Sequence, residues 1–243
     1  MFNYKLGAFL AALGTAAFAT AAQAVPVTIS FDGLGAQNNQ QIVNVGDVGE
    51  GVNLSIDADT FRRISFAPAG PARTYRLNGD TSAVVNTQQG SGDQGLGVLD
   101  EDDFNDDVDG FGDNDILLFS FSRSVNLLSI TFDNVNDALF GNGPDDFLGF
   151  ASAGPIDPSD TFTSIIRDIP NVAGDDGVFT IAAPGVAGSF FGIGAIGNND
   201  SWRIRSLTVD IAPVPLPAAL PMLAFGIGGL MMVGRRRRRA AAA

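Results

Sequence analysis

Asp115-Ile116-Leu117-Leu118-Phe119-Ser120-Phe121-Ser122-Arg123-Ser124-Val125-Asn126-Leu127-Leu128-Ser129-Ile130-Thr131-Phe132 is the stretch that decides the fold. In its first part Leu117, Phe119 and Phe121 share one parity, and Ile116 and Leu118 share the other. Successive side chains of an extended chain leave by opposite faces, so this segment is apolar on both sides. That pattern predicts a central strand covered on each face. From Val125 the apolar positions are Val125 and Leu127, then Leu128, Ile130 and Phe132. The phase slips by one residue, which predicts a β-bulge near Leu127–Leu128.

The same grammar extends in both directions. Upstream, short apolar runs occur at Val25 to Phe31, Gly51 to Ile56, Phe61 to Phe66, Tyr75 to Leu77 and Ala83 to Asn86. Downstream they recur at Phe147 to Ser152, Phe162 to Ile169, Val178 to Ala182, Phe190 to Ile196 and Trp202 to Ile211. Clusters of Gly, Asn, Asp and Pro separate them, as turns require. In the last run Trp202 and Ile204 share one parity, and Leu207, Val209 and Ile211 share the other. A second bulge is therefore expected near Arg205–Ser206. No stretch between Val25 and Ala212 sustains the i, i+3, i+4, i+7 spacing of an amphipathic helix. The expectation is an all-β domain over residues 25–212, built as a two-sheet sandwich of jelly-roll type.

The two ends read differently. Residues 1–24 have the form of a secretory signal peptide: Lys5 is the only charge, Leu6 to Phe18 is apolar, and Ala22-Gln23-Ala24 is a small-x-small cleavage site. The mature chain would begin at Val25. At the other end, residues 213–218 hold Val214-Pro215-Leu216-Pro217-Ala218, and an uncharged run continues to Gly234. Prolines at 215 and 217 hold that pentapeptide extended, so a helix would start near Ala219 and take Pro221 in its first turn. At ~1.5 Å per residue the run spans about 26 Å, close to the hydrocarbon core of a bilayer. A transmembrane helix over 219–234 is expected. Arg235, Arg236, Arg237, Arg238 and Arg239 follow at once in the 235–243 tail. The positive-inside rule keeps them cytoplasmic and puts the 25–212 region outside the cytoplasm. Read on physics alone, the same tail is equally an ordinary single-span membrane anchor that is never cut.

Val214 to Ala218, the apolar helix and the arginine cluster together resemble the VPLPA form of the PEP-CTERM sorting signal of Gram-negative bacteria. The resemblance is confined to about thirty of the 243 residues. It implies recognition by an exosortase-type membrane sorting enzyme and cleavage near the motif. It also implies passage from an inner-membrane-anchored state, with the domain in the periplasm, to the cell surface or extracellular matrix, where exopolysaccharide is a partner. A second, more degenerate resemblance covers the domain itself. Gly95-Leu96-Gly97-Val98, the stretch from Asp115 to Phe132, Asp145-Asp146-Phe147 and Asp200-Ser201-Trp202-Arg203-Ile204 look like the middle of many PEP-CTERM ectodomains. Those domains look like galactose-binding-type sandwiches, which bears on fold more than on function.

Composition excludes several chemistries. All 27 acidic residues fall within 25–212, against eight arginines, a net charge of −19 where the whole chain carries −13. Such a surface repels nucleic acid and anionic lipid and attracts divalent cations. The chain has no Cys and no His, which removes thiolate nucleophiles, imidazole bases, Ser-His-Asp triads and Cys- or His-ligated metals. Glu50 and Glu101 are the only glutamates, and no phosphate-cradling or nucleophile-elbow motif stands in its proper context. No catalytic activity is expected.

Two features point to ligands. Asp100 to Asp115 packs nine carboxylates into sixteen residues. Ca²⁺ takes six to eight oxygen ligands, and Asp103, Asn105, Asp107, Asp109, Asp113 and Asp115 are the candidates. Asn105, Asp107, Asp109 and Gly110 match the first half of an EF-hand loop, but the twelfth position is Ile116 and no helices flank it. A plain solvated acidic loop explains the same residues. The other feature is Trp202, the only tryptophan. It is a candidate sugar-stacking residue in a calcium-dependent carbohydrate-binding module, or a packing residue at the head of the last strand.

Overall fold

The structure, a computed structural model, describes residues 24–32, 34, 40–64, 74–88, 94–99, 107–110, 112–133, 135, 146–158, 160–167, 177–182, 184–197 and 200–212. Within them the chain is all-β. The strands are β1 (Val25–Ser30), β2 (Ile42–Asp47), β3 (Asn53–Arg63), β4 (Thr74–Leu77), β5 (Val84–Gln88), β6 (Gly95–Leu99) and β7 (Val108–Asp109). They continue as β8 (Asn114–Asp133), β9 (Phe147–Ser152), β10 (Thr161–Thr163), β11 (Ile166–Arg167), β12 (Gly177–Thr180), β13 (Val186–Ala195) and β14 (Ser201–Ile211). No helix among the described residues is long and apolar enough to cross a membrane. The expected signal peptide, sorting motif, membrane helix and arginine cluster lie outside the described residues.

β8 organises the whole. Its first half, from Asn114 to Phe121, pairs with β3 on one side and β13 on the other. Its second half, from Asn126 to Asp133, pairs with β14, and residues 129–132 pair with β12. Two separate sheets were the expectation. The strands instead form one connected sheet of 14, because this single 20-residue strand serves both halves. The sheet curls into a half-barrel, an arrangement consistent with a sandwich.

The curl closes on a core fed from both arms. Leu54, Ile56, Leu117, Phe119 and Ile193 come from the β3–β8–β13 arm, and Ile130, Phe132, Leu207 and Val209 come from the β8–β14 arm. Phe31 lies 5.9 Å from Phe119, and Phe132 lies 4.9 Å from Phe147, so rings stitch the arms together. The opposite parity of β8, Ile116 and Leu118, joins a second cluster with Phe61, Tyr75, Leu148, Phe150, Phe162 and Phe190. The two-sided reading of this strand therefore holds. Truncating a ring such as Phe119 or Phe132 to Ala costs on the order of 3–5 kcal/mol in such settings. Gly192 is required by the second cluster, since a Cβ there would run into the ring of Phe150.

Both expected bulges are present, in the same strand pair. Thr208 faces Ser129 and Val209 faces Leu127, so Leu128 is the extra residue on β8. Ile204 faces Phe132 and Ser206 faces Thr131, so Arg205 is the extra residue on β14. One insertion on each strand cancels the other, and the register beyond them is restored. Other boundaries differ from the expectation. The runs expected at Gly51–Ile56 and Phe61–Phe66 are joined, residues 53–56 and 61–63 belonging to one strand, β3, because Asp57 and Asp59 between them do not open a turn. Asp59 instead accepts hydrogen bonds from the backbone N–H groups of Thr60 (2.7 Å), Asp80 (2.8 Å) and Gly79 (3.2 Å). That carboxylate ties the loop after β4 to the middle of the sheet.

Candidate functional site

Of the residues singled out by sequence, Asp107, Asp109, Asp113, Asp115 and Trp202 lie at one end of the sheet, where β7, the start of β8 and the start of β14 meet. β7 pairs with β14 through Ser201 opposite Asp109 and Trp202 opposite Val108. The acidic segment is thereby folded against the last strand. Gly110 makes the approach feasible, since a Cβ there would collide with the carbonyl of Gly197. The backbone N–H of Gly110 donates to the carbonyl of Asp200 at 3.2 Å.

Trp202 is fully buried. Its ring meets Phe132 edge-on at 5.0 Å, and its Nε1–H donates to the carbonyl of Asp146 at 3.4 Å. A sugar ring has no face of this indole to stack on, so Trp202 is a packing residue and the stacking role is withdrawn. Its parity with Ile204 was the signal for this, because both side chains enter the core.

Arg203, the next residue, is also fully buried. Its Nε lies 2.7 Å from Oδ1 of Asp107, and Oδ2 of Asp107 accepts from the hydroxyl of Ser201 at 2.9 Å. Across β8, Arg203 stands in register with the buried Asp133, whose Oδ2 accepts from the backbone N–H of Gln94 at 2.6 Å. A guanidinium withdrawn from water needs close carboxylate partners, and here the acidic segment supplies one. Sequence reasoning did not pick out Arg203. With Arg205 it occupies the polar parity of an alternating strand, which reads as solvent-facing, so no local signal marked it as buried.

The six candidate calcium ligands divide. Asp103 and Asn105 lie outside the described residues. Asp107 is engaged with Arg203 and Ser201. Asp115, buried beneath β7, accepts from the backbone N–H of Asp109 at 3.2 Å, and Asp109 is itself buried. Asp113 is exposed. Among the described residues no three acidic groups converge on a point that could hold a metal ion. A further acid, Asp200, closes the corner by accepting from the backbone N–H of Asp146 at 3.0 Å. Burial pushes the Asp200 carboxyl above its ordinary value. Its hydrogen bonds with Asp146 and neighbouring backbone pull it down, and the charge of Asp146 raises it again.

This end of the molecule is thus a polar lock, in which carboxylates hold β7, β8, the segment before β9 and β14 in place. A different polar region lies on the outer face of the β2–β3–β8 sheet. There an open cleft of about 340 Å³ is lined by Asn44, Asn53, Ser55, Ser120 and Ser122, with no charged residue in its wall. Comparison with known proteins finds no family model that matches the chain and no curated protein similar to it in sequence.

Proposed function

We propose that this chain is an exported, non-catalytic surface or matrix protein of a Gram-negative bacterium, whose acidic β-domain is delivered through the VPLPA-type tail Val214 to Ala218. The domain is read as a jelly-roll-type sandwich of galactose-binding-like form. The apolar span 219–234 and Arg235 to Arg239 would hold it at the inner membrane, with the domain in the periplasm, until an exosortase-type enzyme acts.

One observation carries the reading. Among the described residues, the first and last strands end next to the two expected processing signals. β1 starts at Val25, directly after the expected signal-peptidase site, and β14 stops at Ile211, directly before the sorting motif. Val25 and Ile211 are partners in the β1–β14 ladder, which supports a domain whose two expected signals would leave from one edge. Removing residues 1–24 and the segment after the motif would leave every described pairing of the domain intact.

Mass spectrometry of the mature protein from its native host tests this directly. The expected species starts at Val25 and ends close to Ala218. A species that retains Ala243 means permanent single-span anchoring, and one that retains Met1 removes export from the account.

A further inference from the structure

We infer that the cleft on the β2–β3–β8 face is a binding site for a neutral polysaccharide segment. This rests on the reading of the domain as a surface or matrix protein and adds the class of ligand to it.

The cleft is made by two departures from regular pairing. On β2, Asn44 faces Ser55 while Gly46 faces Leu54, so Val45 is an extra residue and the edge strand bends. On β8, one residue of β13 between Gly188 and Phe190 spans four residues of β8 between Ser120 and Val125. β8 therefore bows away from β13 just past Ser120. Bulges re-aim side chains and open space on a sheet face that would otherwise be flat. The volume, about 340 Å³, lies within the range of small-molecule sites.

Chemistry narrows the ligand. Asn44 stands in register with Ser55, and Ser55 with Ser120, so three strands present one row of amide and hydroxyl groups. The Ser122 hydroxyl accepts from the backbone N–H of Asn53 at 3.0 Å, which leaves its own hydrogen to donate. Every one of these side chains both donates and accepts. Sugar hydroxyls have the same dual character at the same short spacing. The wall carries no charge, in a domain whose net charge is −19. An anionic polymer would meet that field unfavourably, whereas a neutral one would not. Leu54 and Phe121 also line the cleft, but both are buried core residues and offer no exposed ring face, so affinity comes from hydrogen bonds exchanged with water and is low per site, with a Kd on the order of 1 mM. Such weak sites act through many copies along one polymer.

The test uses the full chain, ¹⁵N-labelled in detergent micelles, titrated separately with cellohexaose, laminarihexaose, mannohexaose and galactohexaose, and with tetragalacturonate as the charged comparator. At least one neutral hexasaccharide should shift the amide signals of Ser55, Ser120 and Ser122 and the side-chain amides of Asn44 and Asn53, and the uronate should not. Ser55→Ala with Ser120→Ala should weaken binding about tenfold, the value of one or two hydrogen bonds, with melting unchanged. Asn44→Ala, on an exposed edge position, provides the same readout if the serine pair perturbs folding. The inference is overturned if no neutral hexasaccharide moves these signals at about ten times the expected Kd. It is also overturned if the shifts map elsewhere, if the uronate binds equally, or if the variants bind like the parent. Correctly processed termini without saccharide shifts would remove the cleft alone. Saccharide shifts with an unprocessed tail would remove the sorting reading alone.

Discussion

The two polar regions of this molecule are built from opposite investments. At the β7–β14 end, carboxylates are abundant and engaged. Asp107 holds Arg203, Asp115 holds the backbone of Asp109, and Asp200 holds the backbone of Asp146. In the cleft on the β2–β3–β8 face the polar groups are fewer, uncharged and turned to open space. The acidic end is what draws attention in a sequence, because nine carboxylates in sixteen residues stand out. The difference teaches that density of ionisable groups marks where a fold must be locked, while availability of donors and acceptors marks where it can bind.

The comparison is most exposed at its strongest bond. Asp107→Ala leaves the Arg203 guanidinium buried beside one carboxylate fewer, and should cost roughly 3–5 kcal/mol in denaturant unfolding. A loss under ~1 kcal/mol would mean that the acidic end is not a lock. Trp202→Ala should cost about as much through the cavity it leaves, roughly 3–5 kcal/mol, yet leave saccharide shifts at Ser55 and Ser120 unaltered wherever the variant folds. Loss of those shifts in folded protein would join the two regions that are separated here.

A smaller effect is expected at Asp59. Asp59→Asn replaces one of two accepting oxygens with a donor, against three backbone N–H groups, and should cost about 1–2 kcal/mol. Protection of the Gly79 and Asp80 amides from hydrogen exchange should fall with it.

The mildest prediction concerns pH. Burial raises the carboxyls of Asp57, Asp59 and Asp200 above the ordinary value of 3.8, the first opposed by its hydrogen bond with Ala58. A carboxyl raised in the fold binds its proton more tightly there than in the unfolded chain. Its ionisation therefore lowers stability as pH rises through the folded value, and stability is regained as pH falls through it towards 3.8. Relief of self-repulsion in a domain of charge −19 works in the same direction. Tm should rise modestly as pH is lowered from 7 towards 3.8, and Asp200→Asn should reduce that slope. A Tm that falls steadily over the same interval would show that lowered, ion-paired carboxyls dominate instead.

Much of the architecture was legible in the sequence, for a definite reason. Apolar parity is a direct imprint of the pleat, so the two-sided strand at Ile116–Phe121 and both bulges could be read from where the parity holds or slips. β2 and β6 were not legible, because Asn44, Gly46, Gly95 and Gly97 interrupt the alternation with residues typical of turns. The joining of β3 was hidden by Asp57 and Asp59, whose partners on the loop after β4 no local pattern reveals. The lock at the acidic end was half legible. The carboxylates could be counted, but pairing Asp107 with Arg203 needs the chain to return from far along the sequence. The cleft was invisible, since it exists only where two irregular ladders meet.

The β1–β14 edge has a mechanical consequence. β14 is zipped to β1 on one side and to β8 on the other, and the tail leaves from its far end. If the tail is moored and the cleft grips a polymer, load passes from Ser120 and Ser122 along β8 and across to β14 through the ladder from Asn126 to Asp133. The strands run antiparallel with Asp210 opposite Asn126, so both loads enter at the same end of the ladder and its hydrogen bonds would open one after another from there. A module wired this way would give way under traction by unzipping from the Asn126–Asp210 pair, at a force set by a few ladder bonds and not by the buried core.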